Sequence, residues 1–78
     1  MNWRDHIVSD PEILLGKPTI KGTRLSIEFI LDRLAFGWTD QVLLENCPRL
    51  THTDLLAIWA YLRECMKDGL MYQTPEVA

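Results

Sequence analysis

Apolar positions recur with helical spacing in three stretches of the chain, and short polar or glycine-containing punctuation separates them. In residues 26–37 the stripe is Ile27, Ile30, Leu31, Leu34 and Ala35. Ser26 stands where an N-cap belongs, Glu28 lies in the first turn where the helix dipole favours a carboxylate, and Gly37 follows the last periodic position. Residues 39–47 predict a shorter helix, capped by Thr39, buried through Val42, Leu43 and Cys47, and ended by Pro48. Residues 51–68 predict the longest helix. Thr51 and Asp54 have capping-box spacing, Leu55, Ile58, Trp59, Leu62 and Met66 form its stripe, and Gly69 stops it. Between the last two helices runs Pro48-Arg49-Leu50, with Leu50 expected to plug the angle between them. Short helix, tight turn and long helix form the outline of a helix-turn-helix unit.

The first 25 residues follow a different pattern. Ile7-Val8 is a candidate short strand, and Asp10-Pro11 marks a turn. Thr19-Ile20 and Thr23-Arg24-Leu25 are β-compatible, and Lys21-Gly22 between them supplies a turn with glycine free to take positive φ. A tight hairpin or β-ribbon is therefore expected over residues 17–25. Pro18 bars a central position in a strand. The expected fold is mainly α: a helix-turn-helix-like three-helix core with a short N-terminal β-hairpin. Residues 1–69 form one domain and residues 70–78 a C-terminal tail.

Composition narrows the function. The chain has 78 residues, 47% hydrophobic and 24% charged, which suits one folded domain and leaves little room for a deep private cleft. A core of this size stabilises by only about 3–5 kcal/mol, so a partner or a second copy is a natural source of further stability. The formal net charge of -3 argues against a free-standing nucleic-acid binder, whose affinity comes largely from neutralising phosphates. Charge is unevenly spread. Residues 1–24 hold four basic and three acidic side chains, and residues 25–78 hold four basic and eight acidic. Phosphate contacts, if made, belong to the N-terminal third. No apolar run is long enough to span a bilayer and no leader pattern opens the chain, so a cytoplasmic protein with reduced Cys47 and Cys65 is expected.

Three constellations compete with plain structural roles. The predicted third helix opens His52-Thr53-Asp54-Leu55-Leu56-Ala57, which has the place of a DNA-reading helix but the wrong chemistry: Asp54 would repel phosphates, and Leu56, Ala57, Ala60 and Tyr61 stand where a reader carries polar groups. An apolar arc this wide implies burial on two sides, which makes homodimerisation through this helix a reasonable expectation. Phe29 and Phe36 fall opposite the stripe of the first helix, so they are either a contact surface or are covered by a terminal segment. Lys17, Lys21 and Arg24 surround the expected hairpin and either clamp phosphates or protect a strand edge. His6 and His52 lack metal-ligand spacing, Glu28 and Asp32 lack a second acidic pair, and no nucleophile triad, phosphate loop or redox cysteine motif is present. No catalytic residue, metal or cofactor is expected.

Asp10-Pro11-Glu12-Ile13 followed by Gly16-Lys17-Pro18-Thr19-Ile20-Lys21-Gly22-Thr23-Arg24-Leu25 resembles the signature of the bacterial domain of unknown function 433 family. Ile30-Leu31, the loop containing Gly37 and Tyr61 fit the same likeness, which covers roughly residues 3–68. The resemblance implies a homeodomain-like, helix-turn-helix core with N-terminal β elements. It also implies an antitoxin encoded beside a PIN-like toxin, with the toxin or DNA as partner. It draws attention to Gly16, Pro18, Gly22, Thr23 and Arg24, together with Lys17, and it supplies no catalytic residue. The acidic C-terminal half and the short tail depart from what an antitoxin usually carries. The leading expectation is a non-enzymatic regulator of the antitoxin type. It would hold a PIN-like toxin, or its own second copy, through Phe29, Phe36, Leu56 and Tyr61, and touch DNA, if at all, through Lys17, Lys21 and Arg24. The alternative is a protein-interaction adaptor or homodimerisation module with no DNA role. Neither involves a membrane.

Overall fold

The structure is a computed structural model, and it describes residues 1–67. A single 3₁₀ turn, Trp3–Asp5, leads into strand β1, Ile7–Val8. A loop follows, containing a tight turn at Leu14–Gly16 with positive φ at all three residues, and delivers the chain to strand β2, Thr19–Ile20. Three helices complete the element order: α1, Ile27–Ala35; α2, Asp40–Asn46; and α3, His52–Lys67. The architecture is mainly helical, with a short two-stranded antiparallel sheet at the N-terminal end.

The strand pairing differs from the sequence reading. β2 pairs with β1 in antiparallel register, Ile7 opposite Ile20 and Val8 opposite Thr19. Residues 23–25 do not form a strand. They run beside β2 for one step only, through an Ile20 N–H to Leu25 carbonyl bond of 2.9 Å and a bridge between Thr19 and Ser26. Two residues of ribbon cannot bury an apolar face alone, whereas β1 brings Ile7 against Ile20 and both enter the core. The turn itself forms as expected. The Thr23 N–H meets the Ile20 carbonyl at 3.0 Å, and Gly22 takes φ +78°, a conformation costly for any residue with a Cβ. Thr23 Oγ1 donates to the Ile20 carbonyl at 2.8 Å and accepts from the Leu25 N–H at 3.0 Å. Pro18 lies just before β2, where its missing N–H does no harm, and its carbonyl accepts from the Ile27 N–H at 2.9 Å. The Gly-Lys-Pro-Thr-Ile-Lys-Gly-Thr string thus ties strand, turn and first helix together.

The helices begin and end where their caps stand. Ser26 Oγ accepts from the Phe29 N–H at 2.9 Å, and Thr39 Oγ1 accepts from the Val42 N–H at 3.2 Å. Gly37, at φ +111°, releases the chain from α1. At α3 the capping box closes in both directions: the Thr51 N–H donates to Asp54 Oδ2 at 3.0 Å, and the Asp54 N–H donates to Thr51 Oγ1 at 3.1 Å.

The core gathers Ile7 and Ile20 from the sheet, Ile27 and Ile30 from α1, Leu43 and Cys47 from α2 and its end, and Leu55, Ala57 and Ile58 from α3. Leu50 is buried between α2 and α3, as its place in the turn predicts. Four positions assigned to buried stripes are exposed. Ala35 and Val42 face outward, and on α3 the buried arc is rotated toward Ala57, leaving Trp59 49% and Met66 50% exposed. The rotation has a cause in the N-terminal segment. Trp3, at 4.9 Å and edge-on, packs on Tyr61, and Asp54 is drawn inward to His6, so α3 is phased by contacts outside the trihelical unit.

Candidate functional site

The expected basic cluster divides into unequal members. Lys17 Nζ lies 3.1 Å from Glu28 Oε2 across the surface, so its charge is locally balanced by α1. Lys21 and Arg24 are exposed on the turn and, among the described residues, make no ion pair or side-chain hydrogen bond. Arg24 lines an open groove of about 410 Å³ together with Leu25, Cys47, Pro48 and Arg49. Gly16, Pro18, Gly22 and Thr23 serve the backbone of this region. Gly16 takes φ +86°, and the other three set the strand and turn described above.

The expected apolar contact residues also separate. Phe36 is 83% exposed just beyond α1, and Leu56 is 48% exposed on α3. Phe29 is partly covered: the Arg33 guanidinium lies 4.7 Å from its ring centroid and 5.5 Å from that of Trp38. Tyr61 is half-buried against Trp3. Burial and a hydrogen bond with Cys65 push its phenol up from the ordinary value. The outward face of α3 is carried instead by Leu56, Trp59 and Met66, with Arg63 on the same stripe. The steps from 56 to 59, 63 and 66 follow the spacing of a helix-pairing seam.

Two surface features escaped the periodicity. Leu15 is 95% exposed and held at φ +58°, next to Leu14 at φ +50°. Left-handed backbone costs roughly 1–2 kcal/mol per residue with a Cβ, so this loop presents a leucine to solvent in a strained conformation. The Leu-Leu-Gly run read as apolar chain ending on glycine, and no periodicity of two or 3.6 could flag it. In the sequence Arg49 is only part of a turn; that it lines one groove with Arg24 depends on how the β-turn packs against the end of α2.

The N-terminal segment is fixed along α3 at two places. His6 Nδ1 lies 2.9 Å from Asp54 Oδ1 at the helix start. Further along, the Trp3 indole N–H donates to Glu64 Oε2, and Arg4 Nη2 lies 3.4 Å from Glu64 Oε1. The indole hydrogen bond, with help from Arg4 and the Lys67 charge, holds the Glu64 carboxyl below the ordinary carboxylate range against the opposing effect of desolvation. Among the described residues no group of three or more His, Cys, Asp or Glu side chains converges on a metal-sized site. Among them also, no helix is long and apolar enough to cross a membrane. Both cysteines are unpaired, Cys47 buried and Cys65 half-buried.

A β-turn stapled to a three-helix unit, with a basic turn and apolar outward faces, defines a small mainly helical domain built around its N-terminal sequence motif. The chain belongs to the family described as Protein of unknown function (DUF433), whose model matches residues 7–62. A crystal structure of a member of that family from Anabaena variabilis is similar, with a TM-score of 0.74 and 29% sequence identity. The likeness covers 83% of this chain and 64% of the other, so this chain spans somewhat less than two thirds of that protein's length. No curated protein matches the chain.

Proposed function

We propose that this chain is a non-enzymatic regulator of the antitoxin type, which holds a PIN-like toxin or a second copy of itself through apolar surface. The observation that carries the reading is the exposure of large apolar side chains on so small a domain: Phe36 at 83%, Leu15 at 95%, and Leu56, Trp59 and Met66 at about half. Side chains this large, exposed along one helix face and at a strained loop, are a feature of binding surfaces. DNA contact, where it occurs, falls to Lys21 and Arg24, with Lys17 already balanced by Glu28.

The test is copurification. The tagged chain is expressed with its neighbouring gene, and the eluate is weighed by light scattering. A stoichiometric complex with a PIN-like protein, lost on Leu56→Glu and Trp59→Glu together, is the expected result. A homodimer that ignores the neighbouring product would replace this reading with that of a self-associating adaptor. For DNA, a steep fall of affinity with salt and its loss in Lys21→Ala/Arg24→Ala are expected. Equal binding by the variant would remove DNA from the proposal.

A further inference from the structure

The groove between the β-turn and the helix-turn-helix corner has a composition unlike the rest of the surface. Leu25, Cys47 and Pro48 give it an apolar lining, and two arginines also line it, Arg24 from the turn after β2 and Arg49 from the turn before α3. The remaining polar groups nearby are largely engaged. Thr23 Oγ1 is taken by the Ile20 carbonyl and the Leu25 N–H, and Asn46 Nδ2 donates to the Val42 carbonyl at 2.8 Å. Neither arginine has an acceptor among the described residues, in a protein whose net charge is -3. Acidic side chains are plentiful elsewhere, yet none closes this pair.

In two other grooves a cation already has an acidic partner. Beside the 3₁₀ turn at Trp3–Asp5, Arg4 is matched by Glu64, on a groove that Arg63 and Lys67 also line. Beneath Leu14 and Leu15, Lys17 is matched by Glu28, and Ser26 Oγ caps α1.

We infer that the Arg24–Arg49 groove binds an acidic segment of a partner protein, with one or two apolar side chains on the Leu25–Cys47–Pro48 lining and a carboxylate on each arginine. Guanidinium and carboxylate match as planar, two-bond partners, and arginine clusters are a recurrent device for acidic motifs. A volume of about 410 Å³ holds two or three residues of extended chain. Charge complementarity selects this occupant over nucleic acid. Two arginines beside an apolar lining, on a molecule of net charge -3, suit a ligand with two separated charges and an apolar side chain between them better than a polyphosphate. The inference deepens the reading of the chain as a partner-binding regulator, because it names the chemistry of one partner segment.

The test uses the whole chain and the blocked peptide acetyl-Gly-Glu-Leu-Leu-Glu-Gly-amide, followed by two-dimensional amide NMR. Saturable shifts confined to residues 23–25 and 46–49 are expected. Affinity should fall about tenfold or more in each of Arg24→Ala and Arg49→Ala, and similarly when both peptide glutamates are glutamine, as loss of a charge-assisted pair requires. Arg49→Lys should recover part of the loss. Both arginines are exposed, so the variants should keep the wild-type amide spectrum away from the groove. No saturable shift at millimolar peptide, shifts indifferent to both arginines, or tighter binding of single-stranded decathymidylate in the same groove would each overturn the inference. The peptide is presented to the chain alone. Peptide binding without capture of a PIN-like protein would therefore sink the toxin reading and leave the groove standing, and the reverse result would do the opposite.

Discussion

The N-terminal segment grips α3 at both ends of the helix, and the two grips are built differently. At the start of α3, Asp54 is 8% exposed and serves three partners at once: the Thr51 N–H, its own N–H on Thr51 Oγ1 in return, and His6. Towards the other end, Glu64 meets Trp3 and Arg4 at the surface, and Arg4 and Glu64 have side-chain exposures of 61% and 38%. Both look like an acid paired with a base across about fifty or more residues of sequence. Only the first is a buried capping network, in which removing one member leaves several polar groups without partners. The second has water as a ready substitute, so its charges matter less than the aromatic packing of Trp3 on Tyr61 beside them. A short domain of this kind is fixed by where its acids are buried rather than by how many ion pairs it shows.

The largest effect should follow from Asp54→Ala. It removes the carboxylate half of the α3 capping box and leaves the Thr51 N–H and His6 Nδ1 without their acceptor, a loss of about 2–3 kcal/mol for a buried carboxylate accepting charge-assisted bonds. Urea unfolding reads this directly, and a loss below about 0.5 kcal/mol, the range of ordinary surface changes, would place the two grips on an equal footing. Trp3→Ala should come next, at about 2 kcal/mol, since half-burial halves what a fully buried aromatic would cost. The same variant should increase hydrogen exchange near Tyr61 while leaving the start of α3 protected.

Glu64→Gln should have the smallest effect, and its sign with pH sharpens the comparison. Glu64 is held below the ordinary carboxylate range, so its contribution is present above the unfolded-state value and is lost as pH falls through the lowered folded-state value. Wild type and Glu64→Gln should therefore differ slightly near neutrality and converge in acid. Added salt should shrink the neutral-pH difference through the exposed Arg4 charge. A difference that persists in acid would mean that contacts independent of the carboxylate's charge carry this end.

Much of the helical architecture was legible. Ser26, Thr39 and the Thr51/Asp54 pair mark three N-termini by chemistry that acts within four residues, and Gly37 and Gly22 take positive φ where the chain needs it. The strand pairing was only half legible. Ile7-Val8 and Thr19-Ile20 were both visible as β-compatible, yet the nearer Thr23-Arg24-Leu25 competed for the same edge, and the choice depended on which arm could bury an apolar side chain. Of the surface residues, Phe36 and Leu56 stand exposed as the helical wheel implied, Tyr61 turned inward, and Lys17 found Glu28.

The sequence by itself determined the helices, their caps, the Gly22 turn and family membership, because each rests on residues close together in the chain or on a fixed string of them. Tertiary structure decided the phase of α3 and the company its polar groups keep. His6 reaches Asp54 and Trp3 reaches Glu64 only after the N-terminal segment lies along the helix, and those contacts turn Ala57 inward and leave Trp59 out. It also decided that Arg24 and Arg49 line one groove, since twenty-five positions of chain separate them and only the packing of a β-turn against the end of α2 brings them together. Periodicity reports which face of a helix is apolar; it does not report what arrives from elsewhere in the chain to cover it.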